Sequence, residues 1–428
     1  MKHRIIPATR TCLAVASTLC ATLALTACSG VSGNARVETA EASGDGTLRV
    51  GLILDNAGDS SFLNAPQLAA AKLAVKEIND AGGHKGRPVD LLPVEPGKDP
   101  AAQAQALVQG KADVVIGPTD SSNAAAAVDI LSRARTPLVS PANTSAGLSS
   151  IPSGGYYFRT AAADVAQAPV LVELAKDAGA ATISVLHQEG SYGNGVSAAV
   201  SESAQQAGLK VAATAGFGPG GAASAVATVR SAAADAVILI ARDGAQGALA
   251  ELDNAGLAGS KIILSEGAFA RYGSRLGSKA LAGARALVPG QLPSSRFQDR
   301  LLGIDPTLKD VSFAAEAYDA VILAALAAAK AEDDAGRSIA ANLIAVSSGT
   351  AGTVAGGTGS APEAPCPTFQ DCIAGMSSGV DIDYDGASGP IAFDTHGDIT
   401  AATFTVFTYG EDNNPTATGV ETAGRAAG

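Results

Sequence analysis

Two short segments rich in hydroxyl groups have the residue types and spacing of a seat for a small anion. The first, residues 117–123 (GPTDSSN), follows a short apolar run and precedes a helical pattern, and the second is residues 140–144 (SPANT). Backbone N–H groups at a helix N-terminus lack intrahelical partners and attract anions. The alternative is that Ser121, Ser122 and Thr144 only cap helices, so the residues alone leave both interpretations open.

Signatures of catalysis are scarce in this chain. It has no Gly-x-Gly-x-x-Gly after an apolar strand, no Walker A loop and no Gly-x-Ser-x-Gly elbow. His84, His187 and His396 lie far apart, and no two of them have the spacing of metal ligands. We therefore expect no catalytic residues, no metal and no cofactor.

The two hydroxyl-rich segments lie within a regular alternation of strands and helices. From residue 47 onward, apolar runs of strand length alternate with helical periods, which predicts parallel sheets built from βαβ units. The alternation forms two series separated near residues 159–160, and no sequence repeat links them. We expect an α/β protein of two doubly wound, Rossmann-like lobes. Such sheets bind ligands beyond the carboxyl ends of their strands, where both segments would lie.

The N-terminus has the pattern of an export signal. Three basic residues precede an apolar stretch over residues 11–24, and Leu-Thr-Ala-Cys28 follows it. This tetrad resembles the bacterial lipobox, in which the cysteine is acylated and becomes the new N-terminus. We expect cleavage of a lipoprotein signal peptide, residues 1–27, export, and anchoring by lipid on Cys28 to the outer face of the cell membrane. The alternative is an ordinary secretory signal with a chance cysteine.

Charge and composition restrict the partners and mark both ends of the expected domain. The formal net charge is −12, and loss of the basic signal would lower it to about −15. A chain this acidic is a poor binder of nucleic acid. Residues 28–46 are small and polar with no apolar period, which predicts a flexible tether. We expect a disordered tail over residues 411–428.

Two cysteines, Cys366 and Cys372, would remain beside Cys28 after cleavage. In an oxidising compartment, a pair six residues apart favours a disulfide. Two free thiols are the alternative. A zinc site would need further ligands, and His396 is the only nearby histidine.

The order and spacing of several short segments resemble one family, the type I periplasmic binding proteins that serve branched-chain amino acid ABC importers. The segments are residues 78–83 (INDAGG), 117–122, 140–144, 158–160 (FRT), 192–195 (YGNG), 317–320 (AYDA), 384–390 (YDGASGP) and 393–398 (FDTHGD). The resemblance runs from about residue 48 to residue 408. It implies two lobes joined by a three-strand hinge, with crossovers near residues 160–164, 289–291 and 386–390. The lobes would be residues 47–161 plus 291–386, and residues 162–290 plus 387–410.

The resemblance also implies roles for individual residues. Ser121 and Thr144, with the backbone of Ala142, match the positions that hold a ligand's α-carboxylate, and Ser122 lies beside them. Glu266 matches the acidic residue that takes the α-ammonium group, and Tyr192 matches an aromatic residue that closes over the ligand. From the residues alone, the alternatives are that Glu266 is a solvated loop carboxylate and that Tyr192 is a packed tyrosine.

Two positions depart from the family pattern. An aromatic residue of the first lobe falls near Phe62, and a tyrosine of the second lobe is replaced by Arg242. If Arg242 points into the cleft, its charge could select an acidic or polar group of the ligand. If it points outward, it is a surface residue.

The resemblance implies a function as well as a fold. We expect the solute-binding lipoprotein of an ABC importer, a monomer that binds an amino acid of the branched-chain type or a related small solute. Its partners would be a permease and an ATPase. The alternatives are a sensor on the same fold, an enzyme on the same fold, or a ligand that is an amide or a small acidic or polar solute.

Overall fold

The computed structural model describes residue 1, residues 33–347 and residues 364–423. Within the body that begins at Gly33, one parallel and one mostly parallel sheet are each covered by helices on both faces. This confirms the α/β class and the doubly wound lobes. The remainder of the expected signal peptide and Cys28 lie outside the described residues.

The first half of lobe 1 forms a sheet of strand order β2-β1-β3-β4-β5 with all neighbours parallel. The strands are β1 (Arg49–Leu52), β2 (Asp90–Leu91), β3 (Val114–Ile116), β4 (Leu138–Ser140) and β5 (Tyr157–Arg159), and the helices are α1 (Asn64–Asp80), α2 (Pro100–Gln109) and α3 (Ser121–Arg133). Helix α2 shows why the boundaries fall where they do. Asp99 caps its N-terminus and Pro100, which has no N–H to leave unpaired, opens its first turn.

Lobe 2 begins after β5 and contains a sheet in which two neighbouring strands are entirely buried. Its elements are α4 (Ala168–Asp177), β6 (Thr182–Gln188), α5 (Ser191–Gln206), β7 (Lys210–Phe217), α6 (Ala223–Ser231), β8 (Ala236–Ile240), α7 (Ala245–Asn254), β9 (Ile262–Leu264) and β10 (Arg285–Pro289). Strand β8 has the sequence AVILI and is buried throughout, which is typical of a central parallel strand covered on both faces.

The chain then returns to lobe 1 and completes its larger core. The returning elements are α8 (Ser295–Ile304), α9 (Ala314–Ala331), α10 (Gly336–Val346), β11 (Ala364–Cys366), α11 (Phe369–Ser377) and β12 (Ile382–Tyr384). Helix α9 packs between α1 and α10 and is buried along most of its length. No helix among the described residues has the length and apolar character to cross a bilayer.

The third crossover lies later in the chain than the resemblance implies. Ile391 and Phe393 are buried in the lobe 1 core, and Asp398 pairs with Arg159 of β5. Ile399 packs against the cores of both lobes, so the chain leaves lobe 1 near this residue. The expected boundary between residues 386 and 387 is therefore wrong, because the apolar side chains that follow it complete lobe 1.

The segment expected to be a tether is part of the folded body from residue 33 onward. Ala35 and Arg36 are buried, and the N–H of Ala35 donates to the carbonyl of Gly154 at 2.8 Å. Carboxylates that follow α9 accept further backbone N–H groups, including Gly44 on Asp333 at 2.8 Å. The flexible-tether prediction is wrong for residues 33–46, because acceptors distant in sequence fix a polar segment that has no periodicity of its own.

The C-terminal residues also depart from expectation. Strand β13 (Ala402–Tyr409) pairs antiparallel with β10 and with β14 (Pro415–Ala423), which gives the lobe 2 sheet the order β14-β13-β10-β9-β8-β6-β7. The disordered tail predicted from residue 411 is therefore wrong up to residue 423. Residues 411–414 form the hairpin turn. The polar sequence of β14 has no strand pattern of its own, and the strand forms because the backbone of β13 pairs with it.

Cys366 and Cys372 are joined by a disulfide that links β11 to α11. Because the loop is short, replacing both cysteines with alanine should lower the free energy of unfolding by about 2 kcal/mol on the chain-entropy model. The measurement is urea denaturation of the oxidised protein and the double variant. Reduction of the wild-type protein should reproduce the loss, whereas reduction should leave the double variant unchanged. If reductant changed the free energy of unfolding of both proteins equally, the disulfide would not be the source of the stability.

Candidate functional site

The two hydroxyl-rich loops lie side by side at the carboxyl ends of β3 and β4, as the alternation predicts. Buried Ser140 donates its hydroxyl to the carbonyl of Pro118 at 2.7 Å and accepts the N–H of Asn143 at 2.9 Å. Asn143 donates its amide to the carbonyls of Pro118 and Thr119, at 3.1 Å each. These bonds hold the two loops together and fix the position of Thr144.

The expected anion seat at the start of α3 is occupied by carboxylates of the chain itself. Asp55 accepts the N–H groups of Thr119 at 2.8 Å and Asp120 at 3.1 Å, and the amide of Asn123 at 2.8 Å. Asp120 caps the helix by accepting the N–H of Ser122 at 2.8 Å. The prediction of an open seat for a ligand anion on these N–H groups is therefore wrong. Their need for an acceptor is met internally.

The predicted residues of lobe 1 divide into three groups. Ala142 and Thr144 line a cavity between the lobes. The Ser121 hydroxyl accepts the N–H of Thr144 at 3.2 Å, so Ser121 holds the loop that carries Thr144 and does not itself line the cavity. The Ser122 side chain is exposed, and only the backbone N–H of this residue has a partner at the helix start, the carboxylate of Asp120. Phe62 is 54% exposed and does not line the cavity.

A buried ion pair braces the loop that carries Thr144. The Arg159 guanidinium donates to the carbonyls on either side of Thr144, those of Asn143 at 3.3 Å and Ser145 at 2.8 Å. Arg159 is fully buried and pairs bidentately with Asp398, at 2.6 Å from Nε and 3.0 Å from Nη2. A planar fork of this kind fixes orientation as well as charge. Sequence reasoning recorded both segments but missed their pairing.

The predicted residues of lobe 2 lie at the carboxyl ends of β6 and β9. Tyr192, in the first turn of α5, donates its hydroxyl to Ser265 at 3.1 Å and accepts the N–H of Gly267 at 3.2 Å. Glu266 stands between these two partners and is half-buried. Burial raises the pKa of Tyr192, so its hydroxyl stays protonated and orders the Glu266 loop.

Arg242, which follows β8, points into the cavity. Its Nη2 donates to Thr144 Oγ1 at 3.2 Å, Asp164 Oδ1 at 2.9 Å and Glu266 Oε1 at 3.1 Å. Its guanidinium carbon lies 4.1 Å from the centre of the Tyr192 ring, a cation–π contact. The contact with Thr144 joins the two lobes. Arg242 thus occupies the place on Glu266 that the family resemblance assigns to the ligand's ammonium group.

The charge of Arg242 is largely neutralised where it stands. Burial works against the charged guanidinium, but the charges of Glu266 and Asp164 outweigh it and raise the pKa of Arg242. Burial raises the pKa of Asp164 to about 6, although Arg242 opposes that rise. Since one cation faces two carboxylates, the cluster does not present the net positive charge expected of an arginine that selects an acidic ligand.

The cavity between the lobes has a volume of about 530 Å³ and extends from this cluster to the hinge. Its hinge end includes Phe313, Glu316 and Gln291. Phe313 precedes α9 with a φ of 59°, a left-handed conformation that is rare for a bulky residue and is often retained at functional sites. A cavity of this size accommodates a small organic solute.

Sequence reasoning missed Asp55, Asp164, Phe313 and Glu316. Asp164 and Glu316 are carboxylates within alanine-rich runs, AAADVA and AAEAYDA, which is the signal that could have identified them. The other two offered no local signal. Among the described residues, no group of histidine, cysteine, aspartate and glutamate side chains has the arrangement of a metal site.

A family model described as "Periplasmic binding protein" matches residues 47–413. The leucine-, isoleucine-, valine-, threonine- and alanine-binding protein of Pseudomonas aeruginosa is 31% identical over 183 residues, which are 41% of this chain and 48% of that protein. The match thus spans about half the length of this curated relative.

Solved structures show the same fold over most of the chain. The branched-chain amino acid transporter substrate-binding protein of Streptococcus pneumoniae in complex with isoleucine has a TM-score of 0.58 and 20% identity, covering 88% of this chain and 99% of that one. A solute-binding protein of an ABC transporter from R. palustris, in complex with 4-hydroxybenzoate, has a TM-score of 0.62 and 15% identity. The match covers 88% of this chain and 96% of that one. At these identities the likeness concerns the fold alone.

Proposed function

Because the chain belongs to the periplasmic binding protein family, we propose that it is the solute-binding component of an ABC importer. The observation that carries this proposal is the cavity between the lobes, to which lobe 1 contributes Thr144 and lobe 2 contributes Arg242 and Glu266. Residues from both sides of a hinge can close on a ligand and open to release it.

The proposed ligand is an amino acid of the branched-chain type or a related small solute. The name of the Pseudomonas aeruginosa relative and the isoleucine in the Streptococcus pneumoniae structure support this class. The R. palustris protein, with its bound 4-hydroxybenzoate, shows that the fold also accommodates small acids. The cavity is the part of this chain that would select among them.

The proposal extends to partners and location. A permease and an ATPase would carry out transport, and this protein would deliver the solute from outside the cytoplasm as a monomer. The lipobox-like tetrad before Cys28 supports a lipid anchor. Catalysis is not part of the proposed role.

The proposal predicts that Thr144→Ala weakens solute binding. Isothermal titration of the full chain against a panel of amino acids, amides and small acids should identify a bound class. For that class Thr144→Ala should lower the affinity 10–100-fold, about 1.4–3 kcal/mol, because a polar group of the cavity wall is lost. Thermal unfolding in the presence of each solute should rank the solutes in the same order as calorimetry, since a bound solute stabilises the folded state.

Thr228→Ala is the matched control, since Thr228 is exposed on α6 in lobe 2, outside the cavity. Its affinity for every solute should equal that of the wild type. Binding that is equally insensitive to Thr144→Ala would place the solute elsewhere. The absence of binding across the whole panel would refute the proposed function.

A further inference from the structure

The hinge end of the cavity contains a carboxyl group with no basic partner among the described residues. Glu316 lies in the first turn of α9 and lines the cavity. Its backbone carbonyl accepts the Thr160 hydroxyl at 2.9 Å, which ties it to the first crossover. A Cβ atom at Gly290 would lie 2.9 Å from Glu316 Oε1, so the carboxyl also adjoins the second crossover. A ligand held here would contact the parts of the chain that move when the lobes close.

The surroundings of Glu316 leave its charge uncompensated. Its side chain keeps some surface toward the cavity, but the protein encloses it, and this burial raises its pKa to about 7. Its own N–H stabilises the ionised form, whereas nearby Asp319 opposes it. Asp310 also lines the cavity. Among the residues that the structure describes, no positive group is paired with Glu316.

The other end of the cavity is already supplied with a cation. Arg242 pairs with Glu266 at 3.1 Å and with Asp164 at 2.9 Å. An α-ammonium group at Glu266 would have to share this carboxylate with the guanidinium. Glu316 is an enclosed acceptor with no competing cation in the described part of the cavity.

We propose that the ligand carries a positively charged group that pairs with Glu316. The ligand class is thus a small solute with a terminal ammonium or guanidinium group, such as an ω-amino acid. This inference rests on the proposed function and names the solute class for the same cavity. An enclosed carboxylate gains most from a charged partner that also donates hydrogen bonds.

The test compares three solutes by calorimetry on the full chain at pH 8: δ-aminovalerate, valerate and leucine. Valerate lacks only the terminal ammonium group of δ-aminovalerate, and leucine carries its ammonium on the α-carbon. The wild type should bind δ-aminovalerate at least tenfold more tightly than either. Glu316→Gln should abolish that advantage. Glu202→Gln, the same change at an exposed position of α5, should leave it intact.

Acidity supplies a second readout. As the pH falls from 8 to 6, Glu316 becomes protonated, so the affinity for δ-aminovalerate should fall about tenfold in the wild type. Asp164, Glu266, Arg242, Asp310 and Asp319 are the other titratable groups around the cavity and Glu316, and they remain in Glu316→Gln. A pH response present in the wild type and absent in that variant belongs to Glu316.

Folding of the variant is itself informative. A carboxyl whose pKa is raised on folding lowers stability above its folded pKa and has no such effect below its unfolded pKa. Glu316→Gln should therefore unfold at a higher temperature than the ligand-free wild type at pH 8 and at an equal temperature at pH 4. A lower temperature at both pH values would contradict the uncompensated charge.

The outcomes separate this inference from the proposed function. If leucine binds more tightly than δ-aminovalerate and Glu316→Gln changes neither affinity, the inference is overturned and the importer role stands. If no solute of the wider panel binds, the proposed function fails and the inference fails with it.

Discussion

Replacing Asp398 with alanine is expected to lower the free energy of unfolding by about 3–5 kcal/mol, because it leaves a buried guanidinium without its counter-charge. Arg159 is fully buried and Asp398 nearly so. Both carboxylate oxygens accept from the guanidinium, at 2.6 and 3.0 Å. Urea denaturation followed by circular dichroism measures the change.

The same substitution should weaken solute binding as well as stability. Arg159 holds the carbonyls of Asn143 and Ser145, which flank Thr144 in the cavity wall. Once Asp398 is gone, the guanidinium is free to reorient, and Thr144 loses its support. A lower affinity without a change in the bound solute class would show that Asp398 positions the loop rather than contacting the ligand.

The matched control is Asp129→Ala, which breaks an exposed pair with Arg133 on α3. Exposed pairs contribute little, so the free energy of unfolding should change by less than about 0.5 kcal/mol. Equal losses from the two substitutions would show that burial does not set the strength of the Arg159 pair.

The contribution of Asp398 should depend on pH in a defined direction. Burial opposes its ionisation, but the hydrogen bonds and charge of Arg159 outweigh this and hold the pKa of Asp398 below its ordinary value. The stabilisation is therefore complete above the unfolded pKa, near 4, and is lost as the pH falls through the folded pKa. The difference between wild type and Asp398→Asn should narrow below about pH 4 and stay constant between pH 6 and 8.

Asp319→Ala is expected to cost a similar amount, about 3–5 kcal/mol, because four donors around this buried carboxylate would lose their acceptor together. Asp319 lies on α9 and is fully buried. Its carboxylate accepts the N–H of Ala387 at 2.9 Å, the N–H and hydroxyl of Ser388 at 2.7 and 2.6 Å, and the Tyr384 hydroxyl at 2.7 Å. These bonds fasten the segment before the third crossover to the longest helix of lobe 1.

Asp319→Asn should cost less than the alanine substitution, because its amide oxygen still accepts from some of these donors. Asp381→Ala is the control, because it breaks an ion pair with Lys330 in which the Asp381 carboxylate is 49% exposed. It should lower the free energy of unfolding by at most about 1 kcal/mol. Urea denaturation ranks the three variants. Limited proteolysis should show faster cleavage of residues 385–390 in Asp319→Ala than in Asp381→Ala. An Asn variant as unstable as the Ala variant would indicate that charge, rather than hydrogen bonding, holds this segment.

Local pattern was sufficient for the parts of this protein that local physics determines. The period of apolar residues depends on neighbours a few positions apart, so it predicts the strands, the helices and the two series of βαβ units. Because parallel strands end at one edge of the sheet, residues 117–123 and 140–144 could also be placed together. Cys366 and Cys372, six residues apart, likewise had the spacing of a short disulfide loop.

The remaining features depend on partners that are distant in the chain. The orientation of Arg242 is set by Thr144, Asp164 and Glu266, which follow three different elements, and no pattern around residue 242 encodes that meeting. Likewise, β14 and residues 33–46 are polar segments without period that fold because acceptors elsewhere pair with their backbones. Hydrogen bonds and ion pairs between distant residues depend on the packing of the whole body, so only the tertiary structure decided which charges meet in the cavity.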